Sequence, residues 1–186
     1  MDYGKGVESF KMLNKQLTAE EIELVNYYKH LNQQYSMIPL NGISKIPKDK
    51  NWQQASESHR TIHDNELLNT NEDVSNLNNV GISTGKASKL IVLDVDDHQK
   101  FEMFALNNDI DTSDLKNTFT VQTKRGHHYY FIYPGGPGSY PSRSLPKVFD
   151  IRSDKGMVLA PGSIHPKDKS VRYLVVNNSK PLPCPE

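Results

Sequence analysis

The chain has 186 residues, a mass of 21.1 kDa and a composition that is 35% hydrophobic and 24% charged, which is ordinary for a folded globular protein and argues against wholesale disorder. No apolar run approaches the roughly 20 residues needed to cross a bilayer, and the first residues lack the apolar core of a signal peptide. A single cysteine, Cys184, excludes an internal disulfide and a cysteine-based zinc site. We therefore expect a cytoplasmic protein of one domain, or of two small lobes around a shared core.

The net charge is zero, with 22 basic and 22 acidic residues, but the charges are unevenly distributed. Residues 61–120 carry 4 basic and 11 acidic side chains, whereas residues 121–186 carry 10 basic and 4 acidic ones. Two interpretations are open. The charges are either scattered over solvated surfaces, or they mark a cation-binding carboxylate site beside a phosphate-binding surface.

The first part of the chain predicts mostly helical structure. Residues 1–17 show no helical or strand pattern and are predicted to be a flexible arm, so that the folded domain covers residues 18–186. Thr18-Ala-Glu-Glu21 is a capping box, which predicts a helix from there to about residue 35. A short strand is predicted over 36–40, and a short helix over 58–69.

The rest of the chain predicts mostly strands. The segment Leu90–Asp96 is continuous and rich in β-branched residues, which indicates a strand buried on both faces, and residues 98–107 suit a helix. A turn at Lys124-Arg-Gly126 predicts a hairpin between two strands. The hairpin strands and three later strands are predicted over 119–123, 128–133, 148–152, 157–159 and 171–176, with a turn-rich loop over 134–141. Helices early and antiparallel strands late indicate the α+β class.

Two carboxylates stand out at the end of the most apolar strand. Asp94 and Asp96 are two residues apart, so on a strand both side chains point to the same face. They repel each other and resist burial, and a divalent cation such as Mg²⁺ or Mn²⁺ relieves both problems. The alternative is that both lie beyond the strand and cap the next helix, although Asp97 is better placed for that role.

Other polar residues lie in the following strand patterns. His127 and His128 face opposite ways on a strand, so only one of them can join the site of Asp94. Asp150 lies between two apolar residues and needs a partner, for which a metal would serve. Ser163 and His165 belong to a turn that is either an ordinary hairpin tip or a phosphate-binding one.

Taken in order, these segments resemble the N-terminal primase–polymerase (Prim-Pol) domain of the archaeo-eukaryotic primase superfamily, which occurs in plasmid, phage and mobile-element replication proteins. The resemblance covers about residues 38–173. One position departs from the pattern, because some relatives carry Ser two residues before the histidine, where this chain has Gly126. The matching blocks are Met37–Leu40 with Lys45, Pro47 and Trp52; Asn79–Ile82, Thr84-Gly85 and Leu90–Asp96; Thr123–Phe131; and Phe149–Arg152 with Ala160–His165.

The resemblance implies a fold, an activity and a set of site residues. The fold is a two-lobed one, with an N-terminal α/β unit and an antiparallel sheet like that of RNA-recognition motifs around a catalytic cleft. The activity is template-directed nucleotidyl transfer by a DNA primase and/or DNA polymerase. Asp94, Asp96 and Asp150 would hold two Mg²⁺ or Mn²⁺ ions. The catalytic histidine would be His128, which would contact the incoming nucleotide. Further nucleotide-binding residues would be Lys124, Arg125, Arg152, Ser163 and His165.

The implied partners are a single-stranded DNA template, a primer strand and dNTPs or NTPs, with no membrane. Relatives often continue into an accessory primase region and a helicase, and the proline-rich end Pro181–Glu186 is predicted to be a linker or a boundary within a longer protein. Two other functions stay open. One is a catalytically inactive single-stranded nucleic-acid-binding module of the same fold, and the other is a phosphatase or nuclease that uses Asp94.

Overall fold

A computed structural model describes residues 17–54, 58–69, 75–136 and 138–185, so most of the predicted arm lies outside the described residues. The capping box is confirmed: the Thr18 hydroxyl accepts from the Glu21 N–H at 3.2 Å, and the Glu21 carboxylate accepts from the Thr18 N–H at 3.0 Å. Helix α1 spans Ala19–Asn32 and ends earlier than predicted. It ends there because the buried Asn32 amide donates to the Tyr35 carbonyl and its oxygen accepts from the Ile62 N–H.

The remaining elements are short, and most are strands. In chain order they are β1 Met37–Pro39, α2 Asp64–Leu67, β2 Val80–Ser83, β3 Leu90–Val95, α3 His98–Asn107, a 3-10 turn Ser113–Lys116, β4 Thr120–Gln122, β5 His127–Ile132, β6 Arg143–Leu145, β7 Phe149–Arg152, β8 Met157–Leu159, β9 Ile164–His165, β10 Asp168–Arg172, β11 Leu174–Asn177 and β12 Leu182–Pro183.

The strands form three sheets. The largest has the order β11-β4-β5-β3-β7-β6, with β12 running parallel to β5 and every other pair antiparallel. A second sheet has the order β1-β2-β8, and β9 and β10 form a two-stranded ribbon. Helices combined with antiparallel sheets make this the predicted α+β class. Within the described part of the chain, every helix is too short or too polar to span a membrane.

Two predicted elements differ from the structure for reasons outside their own sequence. The helix predicted over 58–69 is reduced to the single turn α2, because the Ser36 hydroxyl and the Asn32 amide take the N–H groups of Arg60 and Ile62. The strand predicted over 171–176 is two strands that meet at Tyr173, since β10 pairs with β9 and β11 pairs with β4.

Strand β3 lies at the centre of the largest sheet and is buried on both faces, as predicted. Leu90 and Val92 join the main core, to which α1 contributes, whereas Ile91 lies on the opposite face beside Phe101 of α3. Because side chains alternate along a strand, Asp94 follows Leu90 and Val92 on the face away from α3. The carboxylate of Asp94 therefore lies at the end of a row of apolar side chains on this face of β3.

Candidate functional site

A cavity of about 610 Å³ opens on the sheet face that carries Asp94. It contains six of the predicted site residues, namely Asp94, Asp96, Lys124, Arg125, His128 and His165. It is also lined by Lys45, Thr123, Pro166, Lys167 and Tyr173. We refer to this cavity as the acidic–basic pocket, since two carboxylates and four cationic side chains meet in it.

Three predicted site residues form a row across neighbouring strands. Asp94 on β3 lies directly opposite His128 on β5 and directly opposite Asp150 on β7. Residues that oppose each other in antiparallel strands share a face of the sheet, with β-carbons about 4.5–5.5 Å apart. The register therefore places a histidine and two acids side by side.

Asp94 and His128 are in direct contact. The His128 Nε2 lies 3.4 Å from a carboxylate oxygen of Asp94, and both side chains are largely buried. Burial on its own would raise the pKa of Asp94, but the hydrogen bond and charge of His128, together with Lys45 and Arg152, lower it overall. The other ring nitrogen of His128, Nδ1, is buried and has no hydrogen-bond partner among the described residues. The contact orients the imidazole and keeps Asp94 ionised.

His127 points to the other face of the sheet, which confirms that only one of the two histidines can face Asp94. Its Nδ1 lies 2.7 Å from the Nε2 of His98 on α3, and its ring packs near Tyr129. Burial, followed by the nearby His98 and His128, lowers the pKa of His127. The neighbouring histidines thus have separate environments.

Asp96 does not cap helix α3, which was the alternative role that the sequence left open for it. The N–H groups of Asp96 and Asp97 both donate to the Val148 carbonyl, at 2.9 Å and 3.2 Å. Asp97 is the N-cap of α3, where its carboxylate accepts from the Lys100 N–H at 3.2 Å. The Asp96 carboxylate instead faces the pocket and pairs with Arg125 at 3.0 Å.

Asp150 shares the row with Asp94 but does not line the pocket. Its carboxylate forms an ion pair with Arg152, which follows it on the same face of β7. Among the residues that the structure describes, no group of three or more His, Cys, Asp or Glu side chains is arranged to hold a metal ion. The oxygen donors of Asp94 and Asp96 fit a hard divalent cation, whereas Asp150 could join them only after leaving Arg152.

The basic side of the pocket is tied together by ion pairs and stacked rings. Lys124 pairs with Asp168 at 2.9 Å, and the hydrogen bond from Lys124, with further ones from Ser170, lowers the pKa of Asp168 to about 2. The His165 ring is parallel to that of Tyr173, with ring centres 6.4 Å apart. Tyr173 in turn lies 5.6 Å from the His128 ring. The β9–β10 ribbon is therefore held against the strand that carries His128.

The pKa values on this side reflect burial and charge together. Burial, and then the charges of Lys124 and Lys45, lower the pKa of His165. Burial, and then the carboxylates of Asp94 and Asp96, raise the pKa of Tyr173 to about 12. At neutral pH the tyrosine therefore keeps its hydroxyl proton.

Ser163 lies away from the pocket, although the sequence predicted a phosphate contact there. Its side chain is buried, and its hydroxyl donates to the Val80 carbonyl at 3.2 Å. The hydroxyl is also 3.5 Å from that of Tyr28. It therefore joins the turn before β9 to the second sheet and to α1, and is not available to a ligand in this position.

Sequence reasoning missed the other five lining residues, of which Lys45, Tyr173 and Lys167 carry a charged or aromatic side chain. Lys45 lies in the loop after β1, in a block that matches the family pattern, but nothing local to it indicates that it reaches Asp94. Tyr173 lies where two strands meet, inside what the sequence predicted as one strand. Lys167 lies in the turn of a ribbon that was not predicted. The Lys45-x-Pro47 pattern was the only signal that could have identified any of them.

A family model covers the part of the chain that forms the acidic–basic pocket. The family model described as the N-terminal domain of bifunctional DNA primase/polymerase (Prim-Pol) matches residues 28–186. The matched range includes every residue that lines the acidic–basic pocket. No curated protein matches the chain at a significant level of sequence similarity.

Proposed function

The chain belongs to the Prim-Pol family, the N-terminal domain of bifunctional DNA primase/polymerases, and from that premise we propose that it catalyses template-directed nucleotidyl transfer as part of a plasmid, phage or mobile-element replication protein. The membership implies nucleic-acid and nucleotide substrates. The observation that carries the proposal is the acidic–basic pocket, in which Asp94 and Asp96 face Lys45, Lys124 and Arg125. Such a pocket offers oxygen ligands to a cation and positive charge to a triphosphate.

Asp94 and Asp96 would hold Mg²⁺ or Mn²⁺, with Asp150 completing a two-ion site after release from Arg152. Such ions supply charge neutralisation at the triphosphate and lower the pKa of the attacking 3′-hydroxyl. The chain itself then has to position the substrates, because phosphoryl and nucleotidyl transfer depend mainly on alignment and electrostatic stabilisation. Lys45, Lys124 and Arg125, which line the pocket, would bind phosphate oxygens there.

We infer that His128 binds the incoming nucleotide next to the acids and does not accept a proton in the reaction. Its contact with Asp94 fixes the ring, and the ring of Tyr173 lies next to it. The ring nitrogen that contacts Asp94, Nε2, would be the donor to a triphosphate oxygen, because Nδ1 is buried. His165, which lines the same pocket and stacks on Tyr173, is a second candidate contact for phosphate.

The pocket residues come from different sheets, which supports a two-lobed arrangement around a cleft. Lys45 follows a strand of the three-stranded sheet, whereas Asp94 and His128 lie in the largest sheet. We infer that the largest sheet is the counterpart of the sheet found in RNA-recognition motifs. Leu17, which the sequence assigned to the flexible arm, packs into the main core together with α1, so the proposed catalytic unit includes residue 17 as well as residues 18 onward.

The test is nucleotide incorporation on a single-stranded template. The assay uses the template with and without a primer, labelled dNTPs and NTPs, and Mg²⁺ or Mn²⁺. We expect metal-dependent incorporation, and a loss of at least about 100-fold in Asp94→Asn, because a neutral amide binds the cation more weakly than a carboxylate does. Asp114→Asn, an exposed change outside the pocket, is the matched control and should incorporate at the wild-type rate.

Two outcomes would contradict the proposal. Binding of single-stranded DNA with no incorporation under any condition would favour the inactive module. Hydrolysis of phosphate esters without a template would favour the phosphatase or nuclease.

A further inference from the structure

Each of the three predicted metal-binding carboxylates already has a basic partner, and every partner is one of the residues predicted to contact the nucleotide. The pairs are Asp94 with His128, Asp96 with Arg125, and Asp150 with Arg152. Among the described residues, each of these acids has one basic group at ion-pair distance, although the charges of Lys45 and Arg152 also act on Asp94 from further away. The same side chains that would hold cations are thus matched to those that would hold phosphates.

We propose that Arg125 and Arg152 are exchange partners, which neutralise Asp96 and Asp150 and pass to the triphosphate when divalent cations take those carboxylates. This inference rests on the proposed function and goes beyond it, because it assigns a coupling between metal and nucleotide binding to two named arginines. The exchange makes each ligand improve the binding of the other.

Competition for the same oxygens is the physical reason for the exchange. The Arg125 guanidinium lies 3.0 Å from a carboxylate oxygen of Asp96, and Arg152 is in ion-pair contact with Asp150. A divalent cation on either carboxylate would lie within a few ångströms of a guanidinium, and like charges at that distance repel each other. The arginine therefore has to move away when the cation binds.

A displaced arginine finds a suitable new partner nearby. Guanidinium groups match phosphate oxygens with two parallel hydrogen bonds, and they stay charged at every accessible pH. The triphosphate of an incoming nucleotide would bring such oxygens to the same cations. Each arginine then exchanges one anionic partner for another, so its charge stays compensated throughout.

The exposure of the pairs makes the exchange feasible. The side chain of Arg125 is 68% exposed, and that of Arg152 is 40% exposed. Ion pairs that water can reach contribute little to stability, so their loss does not threaten the fold. The same surroundings leave both guanidinium groups room to move toward a ligand.

Lys124 provides a matched comparison within the same turn. It lines the pocket next to Arg125, but its ion-pair partner among the described residues is Asp168 on the ribbon and not one of the three acids. Loss of Lys124 removes one positive charge from the pocket without freeing a predicted metal ligand. The variant therefore measures the general effect of charge on cation binding.

The exchange predicts reciprocal coupling, because an effect of one ligand on the affinity of another must hold in both directions. A nucleotide should raise the affinity for the cation in the wild type. Without nucleotide, a variant that lacks the competing arginine should bind the cation more tightly than the wild type. Addition of nucleotide should raise the cation affinity of this variant less than it raises that of the wild type.

The experiment is titration with Mn²⁺, followed by the electron paramagnetic resonance signal of the free ion. The proteins are the wild type, Arg152→Ala, Arg125→Ala and the control Lys124→Ala, each with and without a non-hydrolysable dNTP analogue. Without nucleotide, we expect Mn²⁺ to bind about 3- to 10-fold more tightly to either arginine variant, and less than about 2-fold more tightly to the control. The enhancement by the analogue should fall about 3- to 10-fold in the arginine variants.

The outcomes separate the exchange from the proposed function. If the wild type binds Mn²⁺ and nucleotide cooperatively but both arginine variants behave like Lys124→Ala, the exchange is wrong and the proposed function stands. If the wild type shows no Mn²⁺-dependent nucleotide binding, the proposed function is wrong, and the exchange with it. Circular dichroism checks that the variants fold. Because the Arg125 side chain is highly exposed, Arg125→Ala still tests the exchange if Arg152→Ala does not fold.

Discussion

Gly126 touches the backbone of Val95 so closely that a β-carbon at residue 126 would lie 1.8 Å from the Val95 carbonyl oxygen. The hairpin turn between β4 and β5 therefore rests directly on the end of β3. This contact brings Arg125 to Asp96, the residue that follows Val95. It also explains why the serine of some relatives has no counterpart here, since the spacing leaves no room for any side chain.

Replacement of this glycine should disturb both the fold and the pocket. We expect Gly126→Ala to lower the free energy of unfolding by at least about 2 kcal/mol, because the strand backbone cannot yield to a methyl group as a flexible side chain would. Urea denaturation measures the loss. Gly138→Ala, where a β-carbon would meet nothing within 4 Å, is the control and should change stability by less than about 0.5 kcal/mol. Equal stability of the two variants would contradict the close contact.

His128→Ala should impair nucleotide use more than His127→Ala does. His128 shares the pocket with Asp94, whereas His127 packs against His98 on the other face of the sheet. The loss of one imidazole hydrogen bond to a triphosphate oxygen is worth on the order of 1.5–3 kcal/mol, or roughly 10- to 150-fold in kcat/KM. Single-nucleotide incorporation on a primed template measures both variants. A larger loss for His127→Ala would remove His128 from the site.

Substitution of the adjacent acids Asp96 and Asp97 should separate an effect on catalysis from an effect on stability. Asp96→Ala should abolish incorporation and leave the melting temperature nearly unchanged, because Asp96 faces the pocket and its ion pair with Arg125 is exposed. Asp97→Ala should lower the melting temperature, because the α3 cap is lost, but should keep incorporation. Thermal melts and the incorporation assay are run on both proteins. The assignment fails if Asp97→Ala is the inactive one.

The pH dependence of stability should report the contact between Asp94 and His128. Despite burial, which would raise it, the pKa of Asp94 is lowered by His128. A carboxyl with a lowered pKa stabilises the fold above its ordinary pKa, and that stability is lost as the pH falls toward the folded-state value. The unfolding free energy of the wild type should therefore fall more steeply than that of Asp94→Asn between about pH 5 and pH 3. Denaturant titrations at both pH values compare the slopes.

A direct check on the same contact is the carboxyl carbon resonance of Asp94, followed against pH. The resonance should titrate below the usual range for aspartate in the wild type. In His128→Ala its pKa should rise, because burial is then opposed only by the more distant Lys45 and Arg152. An unchanged titration would show that His128 does not control the charge of Asp94.

Binding of single-stranded DNA should weaken with salt and survive the loss of the metal-binding acid. Phosphate contacts by lysine and arginine release counterions, so the logarithm of affinity falls linearly with the logarithm of salt concentration. We expect Asp94→Ala to keep this slope and Lys124→Ala to reduce it by about 1. Fluorescence anisotropy of a labelled oligonucleotide gives both slopes. Affinity that is independent of salt would exclude the basic residues from DNA binding.

Local sequence patterns were sufficient for the parts of the fold that depend on neighbours in the chain. The capping box of Thr18, the α3 cap at Asp97 and the turn before His127 all rest on contacts within about three residues. The alternation of side chains along a strand is a geometric property of the extended backbone. It therefore predicts from the sequence alone that His127 and His128 lie on opposite faces of a strand.

Contacts between distant segments decided the rest, because nothing in a local pattern encodes which segments pack together. Asn32 and Ser36 ended one helix and shortened another through partners that lie 24 to 30 residues further along the chain. Strands β6, β9 and β12 are two or three residues long and were not predicted, since so short a segment is stabilised by its partner strand and not by its own composition.

The same distinction applies to the pocket. The spacing of Asp94 and Asp96 predicted that both lie on one side of a strand, but β3 ends at Val95 and Asp96 follows it. The ion pair of Asp150 with Arg152 and the position of Lys45 in the pocket likewise depend on how the elements pack. Ser163 shows the converse, because burial against Val80 removed a residue that its motif favoured. Residue types and spacing indicate which chemistry is possible, whereas packing decides which side chains share one volume and which of their charges are already compensated.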